Sequence, residues 1–292
     1  MSADTAGSAP PEPLPPQRLR APGFLPNLVR RVLTAAVALP AVLAVLLLLP
    51  PWATLALVAC ALAAGLHEFF GLLAARGLRP LRGSGLLLAA AVFADVAWPA
   101  SARVPLSPLG VLLVLTVALL RGRDHESVSA AAGTLLGAVY LGGLGGTLAG
   151  LRTLPSPAGG SWRVVLLLAT IVLSDTFAFF VGHAVGRRRL APAISPGKSV
   201  EGALGGLLGG VVGVFAVRQL ALPQMPAAHA LILGLLVSAM GILGDLEESL
   251  LKRWAGVKDS GTLFPGHGGM LDRLDSLLFG APVLYYYFQH LR

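Results

Sequence analysis

The stretch Ser249–Asp275, SLLKRWAGVKDSGTLFPGHGGMLDRLD, gathers Lys252, Arg253, Lys258, Asp259, His267, Gly268, Gly269, Asp272, Arg273 and Asp275 in a chain of which only 12% is charged. An apolar run precedes it and another follows. Carboxylates, cationic side chains and a Gly-Gly turn packed between two apolar runs suit metal-dependent phosphate transfer at the water edge of a bilayer.

The spacing says which groups can meet. Asp245, Glu248, Ser249 and Lys252 stand at i, i+3, i+4 and i+7 and share one helix face, while Glu247 points elsewhere. Asp272 and Asp275 share a face of the next helix, and Gly268-Gly269 break any helix just before them. Carboxylates converging from two helices make an oxygen-rich site for a hard cation such as Mg²⁺, which also takes phosphate oxygens as ligands. The alternative is that Asp272 and Asp275 cap the last helix and pair with Arg273 and Lys252. Lys252, Arg253 and Lys258 suit phosphate binding, against a plain anchoring role at a helix end. Gly266-His267-Gly268-Gly269 can present backbone N–H groups to an anion, with His267 as donor to a phosphate or organiser of the loop.

A second cluster runs from Ser174-Asp175-Thr176-Phe177 to Ser195-Pro196-Gly197-Lys198-Ser199-Val200-Glu201-Gly202. Asp175 sits inside an apolar run, where an acid is costly and a functional suspect. Ser195, Lys198 and Ser199 give the loop a phosphate-friendly composition. It is not a P-loop, because the GxxxxGK[ST] spacing fails and no strand is expected before it. Glu68 lies near the cytoplasmic end of its run and reads as interfacial; Asp95, near an outer end, reads as structural.

The elements that must position these groups are membrane helices. The chain of 292 residues is 55% hydrophobic, with a mean hydropathy of +0.77. Soluble domains carry about 25% charge. The expected class is therefore an all-α polytopic integral membrane protein of about nine transmembrane helices, near 32–49, 52–75, 84–99, 108–120, 128–151, 163–184, 200–220, 227–251 and 274–291. Residues 1–27, with Pro10, Pro11, Pro13, Pro15, Pro16, Pro22 and Pro26, read as a disordered cytoplasmic arm. Residues 28–160 then form an N-terminal set of helices, and 161–292 the catalytic set. Cys60 is the single cysteine and excludes an internal disulfide. With the N-terminus inside, only Arg103, Arg152, Arg163, Arg218 and Arg292 of the 22 Lys and Arg fall outside. That asymmetry puts both polar loops on the cytoplasmic face and assigns the net charge of +8 to topology rather than to a nucleic-acid partner. Gly202, Gly206 and Gly210, with Gly205, Gly209 and Gly213, and Gly142, Gly146 and Gly150, mark faces for close helix packing, within one subunit or across a dimer.

The run S-x-x-K-R-x4-K-D-x-G-x2-F-P-x-H-G-G-x2-D-R-x-D resembles the signature of the phosphatidate cytidylyltransferases, or CDP-diacylglycerol synthases. Ser249, Lys252, Arg253, Lys258, Asp259, Gly261, Phe264, Pro265, His267, Gly268, Gly269, Asp272, Arg273 and Asp275 fall in register. S-D-T-F-A-F-F and L-A-P-x-I-S-P-x-K-S-x-E-G are similar to the same family. His183 departs from it, standing where a basic side chain is expected. The resemblance covers about 170 to 280. It implies transfer of a cytidylyl group from CTP to phosphatidic acid, a multi-helix fold in the cell membrane, a homodimer and a divalent cation, expected to be Mg²⁺, with a second cation, monovalent or not, left open. It further implies that Asp245, Asp272 and Asp275 surround the metal. The catalytic set is then Asp245, Lys252, Arg253, Lys258, Asp259, His267, Asp272, Arg273 and Asp275, with Asp259 orienting Lys258. Asp175, Ser195, Lys198, Ser199, Glu201, Ser249, Gly268 and Gly269 are expected to bind substrate.

Two other classes use similar residues. A transporter or channel also carries intramembrane acids, but it lacks basic, Gly-rich loops beside them, and this chain has no evident inverted repeat. A CTP-dependent lipid-alcohol kinase would join CTP to a lipid and release CDP. The full K-R, K-D, H-G-G, D-R-x-D series favours the cytidylyltransferase.

Overall fold

The computed structural model describes residues 39–98, 105–122, 125–155, 160–261 and 268–290. The arm expected over 1–27, and Phe264, Pro265, Gly266 and His267 of the signature, lie outside the described residues. From Leu39 onward the chain forms one compact unit.

Its helices are α1 (Leu39–Leu48), α2 (Pro51–Ala75), α3 (Arg82–Ala97), α4 (Ser107–Arg121), α5 (His125–Gly137), α6 (Leu144–Thr153), α7 (Ser161–Val185), α8 (Val200–Ala221), α9 (Ala227–Ala255) and α10 (Leu271–His290). A π-helical turn, Ala138–Gly143, joins α5 and α6 into one rod of 29 residues. Each apolar segment read from the sequence is mainly helical over its described residues, and local chemistry sets several ends. Pro51 starts α2 with a ring preset for the first helical turn. Asp95 accepts the N–H groups of Leu106 and Ser107 at the head of α4 (2.9 and 2.7 Å). Gly256, at φ +76°, closes α9 in the left-handed conformation that glycine adopts without strain.

The expectation of about nine transmembrane helices is met in its coarser form, a chain of several membrane-length helices. Among the described residues, five rods are long and apolar enough to cross a membrane: α2, α5–α6, α7, α8 and α9. The 16 residues of α3 and 15 of α4 reach only about 24 and 22 Å, against a hydrocarbon core of about 30 Å. The 20 residues of α10 begin with Asp272, Arg273 and Asp275. A multi-pass membrane protein remains the class.

One correction concerns the loop before α8. Strands β1 (Arg189–Ala191) and β2 (Ser195–Ser199) pair antiparallel there, the one sheet among the described residues. Pro192 and Gly197 keep the segment out of helix, and Ser199 ends β2 by capping α8, its Oγ accepting the Gly202 N–H (3.1 Å).

The glycine faces work inside the chain. A Cβ at Gly205, Gly209 or Gly213 would run into Val181, Leu173 with Phe177, or Ala169 with Thr170, all on α7. At Gly210 it would strike Ser238 of α9, and at Gly244 the backbone of Asp275. Gly142, Gly146 and Gly150 stand equally close to Ala89, Val96 and Tyr285. Backbone-to-backbone packing thus locks α7, α8 and α9 together and seats α10 against α9. That contact brings the two acidic helix faces within reach of each other.

Candidate active site

Three carboxylates meet where α9 crosses the head of α10. Asp245 and Glu248 of α9 and Asp275 of α10 each offer an oxygen, and these oxygens all lie within 4.8 Å of one another. Glu248 is 1% exposed and Asp275 8% exposed, whereas the Asp245 side chain is 38% exposed. The trio is therefore closed at Glu248 and open at Asp245. Two ammonium groups flank it. Lys198, carried in by β2, reaches Asp245 Oδ2 at 2.5 Å. Lys252, one turn beyond Glu248, donates to Glu248 Oε2 at 2.8 Å and to Asp272 Oδ1 at 2.5 Å. Asp175 of α7 lies within electrostatic reach of Asp245 and Lys198. Three anions held this close in a partly buried site repel one another, and the flanking cations offset only part of that.

Glu248 Oε1 is buried and has no hydrogen-bond partner among the described residues. A buried carboxylate oxygen left in that state costs stability unless something binds it. An all-oxygen donor set with an orphaned oxygen fits a hard divalent cation.

Asp272 does something else. Besides the Lys252 contact, its Oδ2 accepts the Gly269 N–H (2.7 Å), the Ser260 Oγ–H (2.7 Å) and the Ser260 N–H (3.2 Å). Of the three acids expected at a metal, Asp245 and Asp275 come together, Glu248 stands as third partner, and Asp272 is committed to the loop and Lys252. The pairing of Asp272 with Lys252 that the capping alternative anticipated is present. Gly268, at φ +80°, makes the turn that lets the loop fold onto Asp272.

The other expected residues disperse. Arg253 is exposed and donates to the Ile194 carbonyl in the β1–β2 turn (3.4 Å), tying the end of α9 to the hairpin. Lys258 and Asp259 are both exposed, and no ion pair joins them among the described residues; the expectation that Asp259 orients Lys258 has no contact behind it. Ser199 caps α8, and Glu201 accepts the backbone N–H groups of Arg187 (3.0 Å) and Arg188 (3.2 Å). Both side chains are used in shaping the hairpin that delivers Lys198. Ser195 lies on β2, half-buried; Ser249 is half-buried on α9, one residue past Glu248; Arg273 is exposed on the first turn of α10. His267 is outside the described residues. His183 stacks on Phe179 near the end of α7.

Three further groups stand near the site that the sequence did not assign to it. Glu68 of α2 is 9% exposed and accepts from the loop and the head of α10. Ser260 touches both Glu68 and Asp272. Tyr140, on the π-helical turn, faces Glu247. Glu68 carried one legible signal, an acid in an apolar run; its partners lie about 200 positions away, beyond any local pattern.

Comparison with known proteins adds an independent line. The model of the cytidylyltransferase family matches residues 29–291. The phosphatidate cytidylyltransferase of Synechocystis sp. is 34% identical over 267 residues, 83% of this chain and 90% of that protein. The phosphatidate cytidylyltransferase of Bacillus subtilis is 48% identical over 113 residues, covering 39% of this chain and 42% of the relative. An uncharacterised Escherichia coli protein, YnbB, is 42% identical over 132 residues, 45% and 44% of the two chains. The last two matches span less than half of each relative.

Proposed function

The chain belongs to the cytidylyltransferase family, and on that premise we propose that it transfers the cytidylyl group of CTP to phosphatidic acid, giving CDP-diacylglycerol and pyrophosphate for phospholipid synthesis. The observation that carries this reading is the meeting of Asp245, Glu248 and Asp275 with Lys198 and Lys252 at the end of membrane helices.

The chemistry asks little of a nucleophile-activating base. A phosphate monoester is already anionic at neutral pH. One of its oxygens attacks the α-phosphorus of CTP, the bond from that phosphorus to the β-bridging oxygen breaks, and pyrophosphate leaves with the electron pair. The protein must hold two polyanions together in line, which is a task of charge and position. Lys198 stands at the open side of the trio, beside Asp245. It is placed to meet an incoming phosphate, and Arg253 and Lys258, both exposed, are further cations we assign to phosphate binding. Lys252, held between Glu248 and Asp272, sets the charge of the closed side.

Asp245, Glu248 and Asp275 are the residues we assign to Mg²⁺. Bound there, the ion would screen the phosphates and polarise a phosphoryl oxygen. A second cation belongs to the same proposal. Asp272 is assigned to holding Lys252 and the loop rather than to the metal.

The finer topology is also proposed: nine crossings of the cell membrane, N-terminus inside and active site toward the cytoplasm, supported by the Lys and Arg asymmetry. In that arrangement the acyl chains stay in the bilayer while the head group enters from its edge. The homodimer implied by the family resemblance is part of the proposal, and cross-linking in native membranes tests it.

The deciding experiment uses detergent-purified full chain with phosphatidic acid, Mg²⁺ and CTP labelled in turn at the α- and γ-phosphate. Label entering lipid from the α-position only, with one pyrophosphate per lipid, is expected. Label entering from the γ-position overturns the reading in favour of a lipid kinase.

A further inference from the structure

We propose that Glu68, on α2 in the N-terminal half, is a positioning residue for the active site: it fixes the start of α10 and, through Ser260, the carboxylate that holds Lys252. The inference rests on the function proposed above.

The first turn of a helix leaves N–H groups without partners, and a nearby Ser, Thr, Asp or Asn usually takes one of them. Two such N–H groups at the head of α10 are taken instead by a carboxylate some 200 residues upstream. Glu68 Oε1 accepts the Met270 N–H (2.9 Å) and Oε2 the Leu271 N–H (2.9 Å). An anion at a helix N-terminus also meets the positive end of the helix dipole. The Ser260 hydroxyl sits 3.1 Å from Glu68 Oε2 and 2.7 Å from Asp272 Oδ2. Its one proton serves one carboxylate at a time, and each oxygen has a backbone donor of its own, Leu271 for Glu68 and Gly269 for Asp272. From there a continuous path runs through Asp272 to Lys252, and from Lys252 to Glu248 of the acidic trio.

The fit around Glu68 is tight on two further sides. A Cβ added at Gly261 or at Gly269 would collide with its carboxylate. Gly261 and Gly269 are both signature glycines, and neither has a positive φ. Room for Glu68, rather than backbone conformation, is what their missing side chains provide. The rest of α2 is anchored nearby: Arg76, just past its end, donates to the Trp254 carbonyl of α9 and lies 5.8 Å from the Trp254 ring centre. Glu68 and Arg76 thus both tie the N-terminal half to the signature stretch, and Glu68 reaches the part of it that folds onto Asp272.

Replacing Glu68 by Gln keeps the size and removes the charge, and one of its two ends then presents a donor to an N–H. Charge-assisted hydrogen bonds of this kind contribute about 1.5–3 kcal/mol each, or roughly 10- to 100-fold in an opening equilibrium. The test compares wild type with Glu68→Gln, Gly261→Ala and, as a control far from the site, Asp95→Asn, which weakens the cap on α4. Two readouts are taken: amide hydrogen exchange of the peptide covering 268–275, and kcat and KM for label transfer from CTP to lipid, each per mole of folded protein. Glu68→Gln and Gly261→Ala are expected to speed exchange in that peptide about tenfold or more. Both should lower kcat by a similar factor with KM for CTP within about twofold, as for an interaction felt in the transition state. Asp95→Asn should lower thermal stability while leaving both readouts unchanged. Unchanged exchange in Glu68→Gln overturns the positioning role, and so does a kcat kept within twofold of wild type. A wild-type protein that transfers no label overturns the proposed function instead, and the exchange data still decide whether Glu68 holds the loop.

Discussion

Replacing Asp275 by Asn raises the melting temperature of the metal-free protein and removes the further rise that Mg²⁺ gives the wild type. The oxygens of Asp245, Glu248 and Asp275 lie within 4.8 Å of one another. Two unit charges at that distance repel by about 3.5 kcal/mol at an effective dielectric of about 20, and Asp275 takes part in two such pairs. Lys198 on Asp245 and Lys252 on Glu248 offset most of both repulsions. A net relief of about 2 kcal/mol follows when Asp275 loses its charge. In a chain of this size that is a shift of about 4 °C. For the wild type, Mg²⁺ at a hundred times its Kd adds about 2.7 kcal/mol. Without its third carboxylate the site binds too weakly for that gain. The assay is thermal unfolding in detergent, followed by tryptophan fluorescence, in EDTA and in Mg²⁺. A D275N variant that melts below wild type in EDTA, with an unchanged Mg²⁺ shift, would refute both the repulsion and the cation site.

Three more outcomes follow from the same geometry. Asp245→Asn lowers kcat about 100-fold or more at saturating Mg²⁺, the scale of a lost electrostatic contact in a transition state; full activity would remove Asp245 from the metal. Lys252→Met leaves Glu248 and Asp272 facing each other without their shared cation. It destabilises the protein by about 3 kcal/mol, the cost of breaking a buried pair, which a denaturation series against wild type measures. Gly244→Ala forces a methyl group against the Asp275 backbone. It costs about 1–3 kcal/mol of overpacking and weakens the Mg²⁺-induced thermal shift by moving Asp245 away from Asp275.

The parts of this site that lie on one helix are legible in the sequence, and those that cross between helices are not. The i, i+3, i+7 spacing puts Asp245, Glu248 and Lys252 on one face, and they do share it. The shared face of Asp272 and Asp275 is legible too, since both meet α9, but which partner each takes there is not. Asp275 joins Asp245 and Glu248, whereas Asp272 takes Lys252 with one oxygen and the loop with the other. Ser199 and Glu201 have polar side chains suited to phosphate, but the hairpin they shape needs them as caps, and the short strands were hidden by a Pro- and Gly-rich composition. Glu68 reads as interfacial because nothing near it in the chain explains it; its partners are Met270 and Leu271. The number of spans is legible only in part for a related reason. Hydropathy alone does not distinguish α3 and α4, too short to cross alone, from the longer rods.

The most direct test of the chemistry follows the oxygens. Phosphatidic acid carrying ¹⁸O at its three non-ester phosphate oxygens is turned over with unlabelled CTP, and both products are examined by mass spectrometry. Attack by the lipid phosphate on the α-phosphorus predicts that CDP-diacylglycerol keeps all three labelled atoms and pyrophosphate carries none. Label in pyrophosphate, or a lipid product lacking one of the three, would contradict the account.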